Sequence, residues 1–236
     1  MDATRPRAAT PAPVVFLLDV DNTLLDNDRV IADLRCHLER EVGAELQAEY
    51  WKFFEELRAS LGYTDYLGAL QRYRLEHPHD PHLLTVSSYL INYPFAARLL
   101  PESLDVVAWC KAQAPTVILT DGDVVFQPHK VDRSGLFEAV DGHVLLYVHK
   151  ERELADVQRR YPAAHYILVD DKLRILTAVK AVWGTRVTTV FPRQGSYAHD
   201  PAVLRDLPPA DVTIERVGEL MRFELAALVR KAGCEP

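Results

Sequence analysis

The stretch "VVFLLDVDNTLLDND", residues 14–28, is apolar for five positions and then sets Asp19 and Asp21 two apart, with Thr23 close behind. A continuous apolar run of this length reads as a strand covered on both faces, the kind found in a parallel sheet between helices. Such sheets gather chemistry at the carboxyl ends of their strands, where loops and helix N-termini form a crevice. Side chains at i and i+2 share a side for as long as the chain stays extended, so Asp19 and Asp21 are expected to face one site.

Working outward, short apolar or β-branched runs recur: "TVILT" at 116–120, "HVLLYV" at 143–148, "YILVD" at 166–170, "RVTTVF" at 186–191 and "DVTI" at 211–214. Helical patterns are predicted between and after them, at 128–134, 150–160, 171–183 and 215–230. The last carries Val217, Leu220, Met221, Leu225 and Leu228 at three- and four-residue steps. Alternating strand and helix predicts an α/β fold, a Rossmann-like doubly wound parallel sheet with right-handed crossovers.

Residues 27–99 break the alternation. Val30, Leu34, Leu38 and Val42 fall at four-residue steps, followed by Leu46, Tyr50, Phe53, Phe54, Leu57 and Leu61. Gly43 and Gly62 punctuate the helices, and the prolines of "HPHDPH" at 77–82 end one. This is too much chain for one crossover. It predicts an all-helical subdomain at 27–99 inserted into a core made of 14–26 and 100–236, with a helix at 102–114 and a disordered tail at 1–13.

Composition narrows the function. Of 236 residues, 27 are basic and 34 acidic, for a formal net charge of -7, so no basic face for nucleic acid or anionic lipid is expected. Cys36, Cys110 and Cys234 lie far apart without CxxC spacing, against a disulfide framework or a zinc site. Residues 1–13 lack the apolar stretch of a signal peptide, and no run approaches the ~20 residues of a membrane span. A cytoplasmic protein is expected; oligomeric state has no signature.

Four motifs end up at predicted strand ends: Asp19 with Asp21, Thr120 with Asp121, Lys150, and Asp170 with Asp171. Converging carboxylates resist joint ionisation unless a cation sits among them or one keeps a proton. Mg²⁺ suits such oxygens. Lys150 and Thr120 then complete a pocket for a dianion, the kind of site that supports phosphoryl transfer.

These motifs, "DVDNT" (19–23), "ILTDGD" (118–123), "HK" (149–150) and "LVDDK" (168–172), resemble in order and placement those of the haloacid dehalogenase (HAD) superfamily of aspartate-nucleophile hydrolases. The insert is similar to the family's helical first-type cap. The resemblance implies that Asp19 attacks phosphorus to form an aspartyl-phosphate. Asp21 would protonate the leaving oxygen, activate the hydrolytic water and lend a backbone carbonyl to Mg²⁺. Thr120 and the amides around Asp121 and Gly122 would hold phosphoryl oxygens, with Lys150 stabilising the developing charge. Asp19, Asp21, Asp170 and Asp171 form the implied metal site; Asp171 lies where the family's principal acidic ligand falls, Asp170 would bind directly or through water, and which of the two touches the ion is left open. Lys130 competes with Lys150 for the lysine role, and Lys150 is preferred because it follows the third strand.

The implied function is a Mg²⁺-dependent phosphatase of a small phosphorylated metabolite. A sugar-phosphate mutase and a non-catalytic phospho-binding or partner-binding module are the alternatives. Dehalogenases lack the acid two residues after the nucleophile, so Asp21 speaks against that activity. Taken singly, Asp171 also fits a helix N-cap, His143, His149, His165 and the histidines of 77–82 fit surface or loop positions, and Tyr50, Trp51, Phe53 and Phe54 fit the insert's core. "FPRQGSY" at 191–197 leaves a strand at the active edge; a surface loop is expected, with Arg193 or Gln194 bordering the site as the alternative. Arg29, Lys52, Arg58, Arg72 and Arg74 are the insert's candidates for facing substrate.

Overall fold

A computed structural model describes residues 11–231. Residues 1–10 of the predicted tail lie outside the described residues, as does Cys234. The remainder of that tail is a correction: Ala12 and Pro13 open the first strand, and the Ala12 amide donates to Pro162 O at 2.9 Å.

Six strands form one parallel sheet: β1 (Ala12–Leu18), β2 (Thr116–Asp121), β3 (Val144–Tyr147), β4 (Ala163–Val169), β5 (Val187–Pro192) and β6 (Val212–Ile214). Their order is β3-β2-β1-β4-β5-β6. β1 therefore lies between β2, where Leu18 faces Ile118, and β4, where Leu18 faces Val169. Strand order reverses there, and a crevice opens beyond the ends of β1 and β4.

Alternation along β1 builds two cores. Phe16 and Leu18 pack on one face with Ile118, Ile167 and Val190. Val15 and Leu17 pack on the other with Val117, Leu168 and Leu176. Each large side chain so buried contributes roughly 1.5–3 kcal/mol.

Between β1 and β2 come α1 (Asn27–Leu61), α2 (Tyr66–Glu76), α3 (Leu83–Ile91) and α4 (Ser103–Gln113). Along the rest of the chain follow α5 (Phe126–Arg133), α6 (Leu136–Ala139), α7 (Leu154–Arg160), α8 (Leu173–Trp183), α9 (Pro201–Leu204) and α10 (Leu225–Lys231). Two predicted helices are broken. The 150–160 segment starts as a short 3-10 turn at Lys150–Arg152 because Lys150 turns inward. The 215–230 segment is a 3-10 turn at Val217–Arg222, then α10, interrupted where Phe223 is extended (φ -96°, ψ 140°). Apolar spacing marks the buried side of both pieces and is silent on the break between them.

The start of α1 is tied to the residues after β1. Asn22 Oδ1 accepts from the amides of Asn27 (2.9 Å) and Asp28 (3.1 Å), and Asp26 Oδ1 accepts from Arg29 N at 2.9 Å. These bonds satisfy donors that a helix N-terminus leaves unpaired. Farther along, α1 kinks at Gly43, whose φ of 83° and ψ of 167° suit a residue without Cβ. A Cβ there meets nothing within 4 Å, so Gly43→Ala is penalised by the backbone alone. Urea denaturation is expected to show it about 1–2 kcal/mol less stable with an unchanged slope; equal midpoints would show that the kink is not required.

Candidate functional site

Asp19 follows β1, and Asp170 and Asp171 follow β4; neighbouring strands thus place three buried carboxylates side by side. One oxygen from each lies within 4.8 Å of the others. Lys150 reaches over from the end of β3. Its Nζ lies 2.5 Å from Asp19 Oδ1 and donates to Leu119 O at 3.1 Å. It also lies 2.7 Å from Asp170 Oδ2, an ion-pair approach without hydrogen-bond geometry. Thr23 donates to Asp19 Oδ2 at 3.3 Å and accepts from the Asp171 amide at 3.1 Å, joining the two strand ends.

Neither oxygen of Asp171 has a hydrogen-bond partner, although the residue is 1% exposed. It is not a helix cap: Lys172 is the N-cap of α8, without a side-chain cap. Burial drives the Asp171 carboxyl well above its ordinary range, helped by Asp170 and Asp19 against the opposing pull of Lys172. Burial also raises Asp170, to about 6, despite Lys150. For Lys150 burial disfavours the charge, but Asp170, Asp19 and Asp121 outweigh it and hold the amine protonated. Buried carboxylate oxygens without partners are what a hard divalent cation takes, and this set fits one.

Asp21 stands apart. β1 ends at Leu18, so the extended geometry that would have put Asp19 and Asp21 on one side does not persist. Asp21 Oδ1 accepts from Lys130 Nζ at 2.6 Å, and Oδ2 takes a long bond of 3.4 Å from Gln127. The Asp21 side chain is thus not among the clustered carboxylates, leaving its backbone carbonyl as the group the resemblance assigns to metal. The lysines divide accordingly, Lys150 on Asp19 and Lys130 on Asp21 and Asn27.

Gln127 also donates to Thr120 Oγ1 at 2.9 Å, which leaves the Thr120 hydroxyl hydrogen free to donate elsewhere. Sequence reading missed Gln127; its position three residues before Lys130, on the same face of α5, was the available signal. Asp121 Oδ1 accepts from the Lys150 amide at 2.7 Å. The Gly122 amide is a correction: the β2–β3 pairing continues through it, and it donates to Tyr147 O at 3.1 Å rather than facing a ligand.

The loop after β5 is more than surface. Gln194 donates to the carbonyls of Asn22 (3.2 Å) and Thr23 (3.0 Å) and accepts from Val217 N at 2.7 Å. It pins the backbone that carries Asp19 and Asp21. Gly195, at φ 70°, presses on Asn22 so closely that a Cβ would lie 2.5 Å from the Asn22 side chain. Between these loops and α1 opens a cavity of about 380 Å³, bordered by Asp21, Asp121 and Lys172 at one end and by Trp51, Phe54 and Arg58 of the insert. Trp51 and Phe54 are thus core and cavity wall together. Of the other insert cations, Arg29 pairs with Asp33 and Arg72 with Glu56.

A family model for haloacid dehalogenase-like hydrolases matches residues 14–181. The chain belongs to that family. A haloacid dehalogenase-like hydrolase from Burkholderia xenovorans LB400 is 60% identical, with 91% of this chain and 100% of that chain covered and a TM-score of 0.87. HAD-hydrolase YfnB of Bacillus subtilis, bound to magnesium, is 16% identical over 90% of this chain and 98% of its own, TM-score 0.60. An L-2-haloacid dehalogenase is 17% identical over 90% and 99%, TM-score 0.58. The last two share the fold. No curated relative matches the sequence. Among the described residues no helix is long and apolar enough to cross a membrane.

This HAD-like hydrolase carries its acid cluster at a cost that depends on pH. With no cation bound, the native Asp170 and Asp171 hold protons to higher pH than in the unfolded chain, where aspartate titrates near 4. The native state then binds more protons than the unfolded state from about pH 4 upward through about 6, so stability is lost as pH rises through that window. Chelator-treated protein should lose on the order of 2 kcal/mol there, and a divalent cation should restore it. A flat profile in thermal unfolding of the metal-free protein would contradict this.

Proposed function

We propose that the protein is a Mg²⁺-dependent phosphatase of a small phosphorylated metabolite, with the helical insert as a cap over its active site. The observation that carries this reading is Asp21. It lies two residues beyond Asp19, is held by Lys130 and Gln127 rather than drawn into the acid cluster, and borders the cavity. A departing halide needs no proton; a departing alkoxide does.

Asp19, Asp170 and Asp171, with the Asp21 carbonyl, would hold Mg²⁺, whose chemistry is to neutralise charge on the transferred group. An Asp19 carboxylate oxygen attacks phosphorus, the bond to the ester oxygen breaks, and the Asp21 carboxyl delivers its proton to that oxygen. Asp21 then takes a proton from the water that attacks the aspartyl-phosphate, releasing inorganic phosphate and freeing Asp19. The Thr120 hydroxyl donates to a phosphoryl oxygen. Lys150 keeps the Asp19 carboxylate oriented and offsets the growing negative charge.

Hydrolysis of a chromogenic phosphate ester with and without Mg²⁺, beside halide release from 2-chloropropionate, tests the reading. Phosphate release that requires Mg²⁺ is expected, with no halide released; the opposite pattern would make the protein a dehalogenase. Asp19→Asn should fall to background with its fold intact by circular dichroism. Asp21→Asn should lose about 10²–10⁴-fold in kcat; an Asp21→Asn enzyme of unchanged kcat would remove the proton-transfer assignment.

A further inference from the structure

The cavity is larger than a phosphoryl group needs, and its charges are unevenly matched. Four acids border it, and each is engaged. Asp21 pairs with Lys130, and Asp121 accepts from the Lys150 amide. Asp28 accepts from the Ser196 amide at 2.6 Å, and Glu55 pairs with Arg58 at 2.8 Å. The cations fare similarly with one exception. Arg58 also donates to Tyr197 OH at 2.7 Å, and Arg174 approaches Glu151 at 3.8 Å. Lys172 forms no ion pair among the described residues, but the charges of Asp171 and Asp19 raise its pKa to about 12 against the effect of burial.

Arg35 is the exception. Its guanidinium carbon lies 4.0 Å from the ring centroid of Trp51, which itself borders the cavity. Among the described residues no carboxylate lies within ion-pair distance of it. Asn27, Ile31 and Arg35 follow at four-residue steps on one face of α1, and all three line the cavity. The helix start is bonded to Asn22, so Arg35 is held about 12 Å along the axis from Asn27, over an apolar wall that includes Ile31 and Phe54. A planar, permanently charged fork stacked on an indole is suited to bidentate capture of an anion.

We propose that the cavity takes a phosphomonoester whose organic part carries a second anionic group, and that Arg35 receives that group at the end of the cavity away from Asp19. This rests on the phosphatase reading for the placement of the phosphoryl group, and it names the substrate class.

The test is binding of phenyl phosphate and of 3- and 4-carboxyphenyl phosphate to the Asp19→Asn protein with Mg²⁺, by calorimetry. At least one carboxylated ester should bind about tenfold more tightly than phenyl phosphate, the scale of one charge-assisted contact. Adding Arg35→Met should bring the ratio to near one, and Arg35→Lys should keep part of it. Equal affinities for all three esters, or a preference that survives Arg35→Met, overturns the proposal. Turnover by the unaltered protein separates this inference from its premise. Hydrolysis of phenyl phosphate without preference for a carboxylated ester sinks only the role of Arg35. An Arg35-dependent binding preference with no hydrolysis of any ester retains the anion site and sinks the phosphatase reading.

Discussion

Three carboxylates shut away from water at the ends of two adjacent strands set the conditions that the surrounding residues must meet. Asp19, Asp170 and Asp171 are brought together by the pairing of β1 with β4, and burial penalises each ionised form. Lys150 offsets part of that charge, touching Asp19 and Asp170. It cannot offset all of it, because its contacts are used and Asp171 is left with two bare oxygens. A fold gains nothing in stability from such an arrangement; leaving a buried charge uncompensated is among the costlier things a core can do. The cluster makes physical sense as a vessel for a divalent cation, and that requirement explains why Lys150 leaves β3 through a tight turn instead of a regular helix.

Much of the fold was legible in the sequence because its signals are local and repeated. Continuous apolar runs mark six strands, and the four-residue steps of Val30, Leu34 and Leu38 mark α1. What was not legible depends on tertiary bonds. The 215–230 pattern gives the buried face of two short elements but not the extended residue between them. The opening strand begins two residues earlier than apolar content indicates, because Ala12 pairs with Ala163 through its backbone and packs on the core beneath, a contact no run of large apolar residues announces.

The site divides in the same way. Asp19, Thr120, Lys150, Asp170 and Asp171 were visible as polar residues interrupting strand ends. Gln127 and Asn22 were not, because an amide on a helix or loop has no pattern of its own, and Gln194 was legible only as the lesser alternative for a loop at the active edge. Their roles come from partners 5 to 172 residues away in sequence. Arg35 was missed for a related reason: helical phase assigned from apolar residues says which face is core, and it leaves the exposed Arg35 as open surface although the side chain borders the cavity.

The division of labour between the two acids of the opening motif follows from where the strand stops. Had β1 continued to Asp21, both side chains would have pointed into one cluster and competed for the same lysine. Instead the chain turns at Val20, whose carbonyl accepts from the amides of Thr23, Leu24 and Leu25, and Asn22 adopts a left-handed φ of 57°. Asp21 is carried around to Lys130 and Gln127 on α5. Two carboxylates two residues apart thereby acquire separate cations and separate surroundings, which is the physical condition for one to serve as nucleophile while the other exchanges protons. The same turn caps α1, so the geometry that separates the acids also fixes the direction in which the helix carries Ile31 and Arg35 across the cavity.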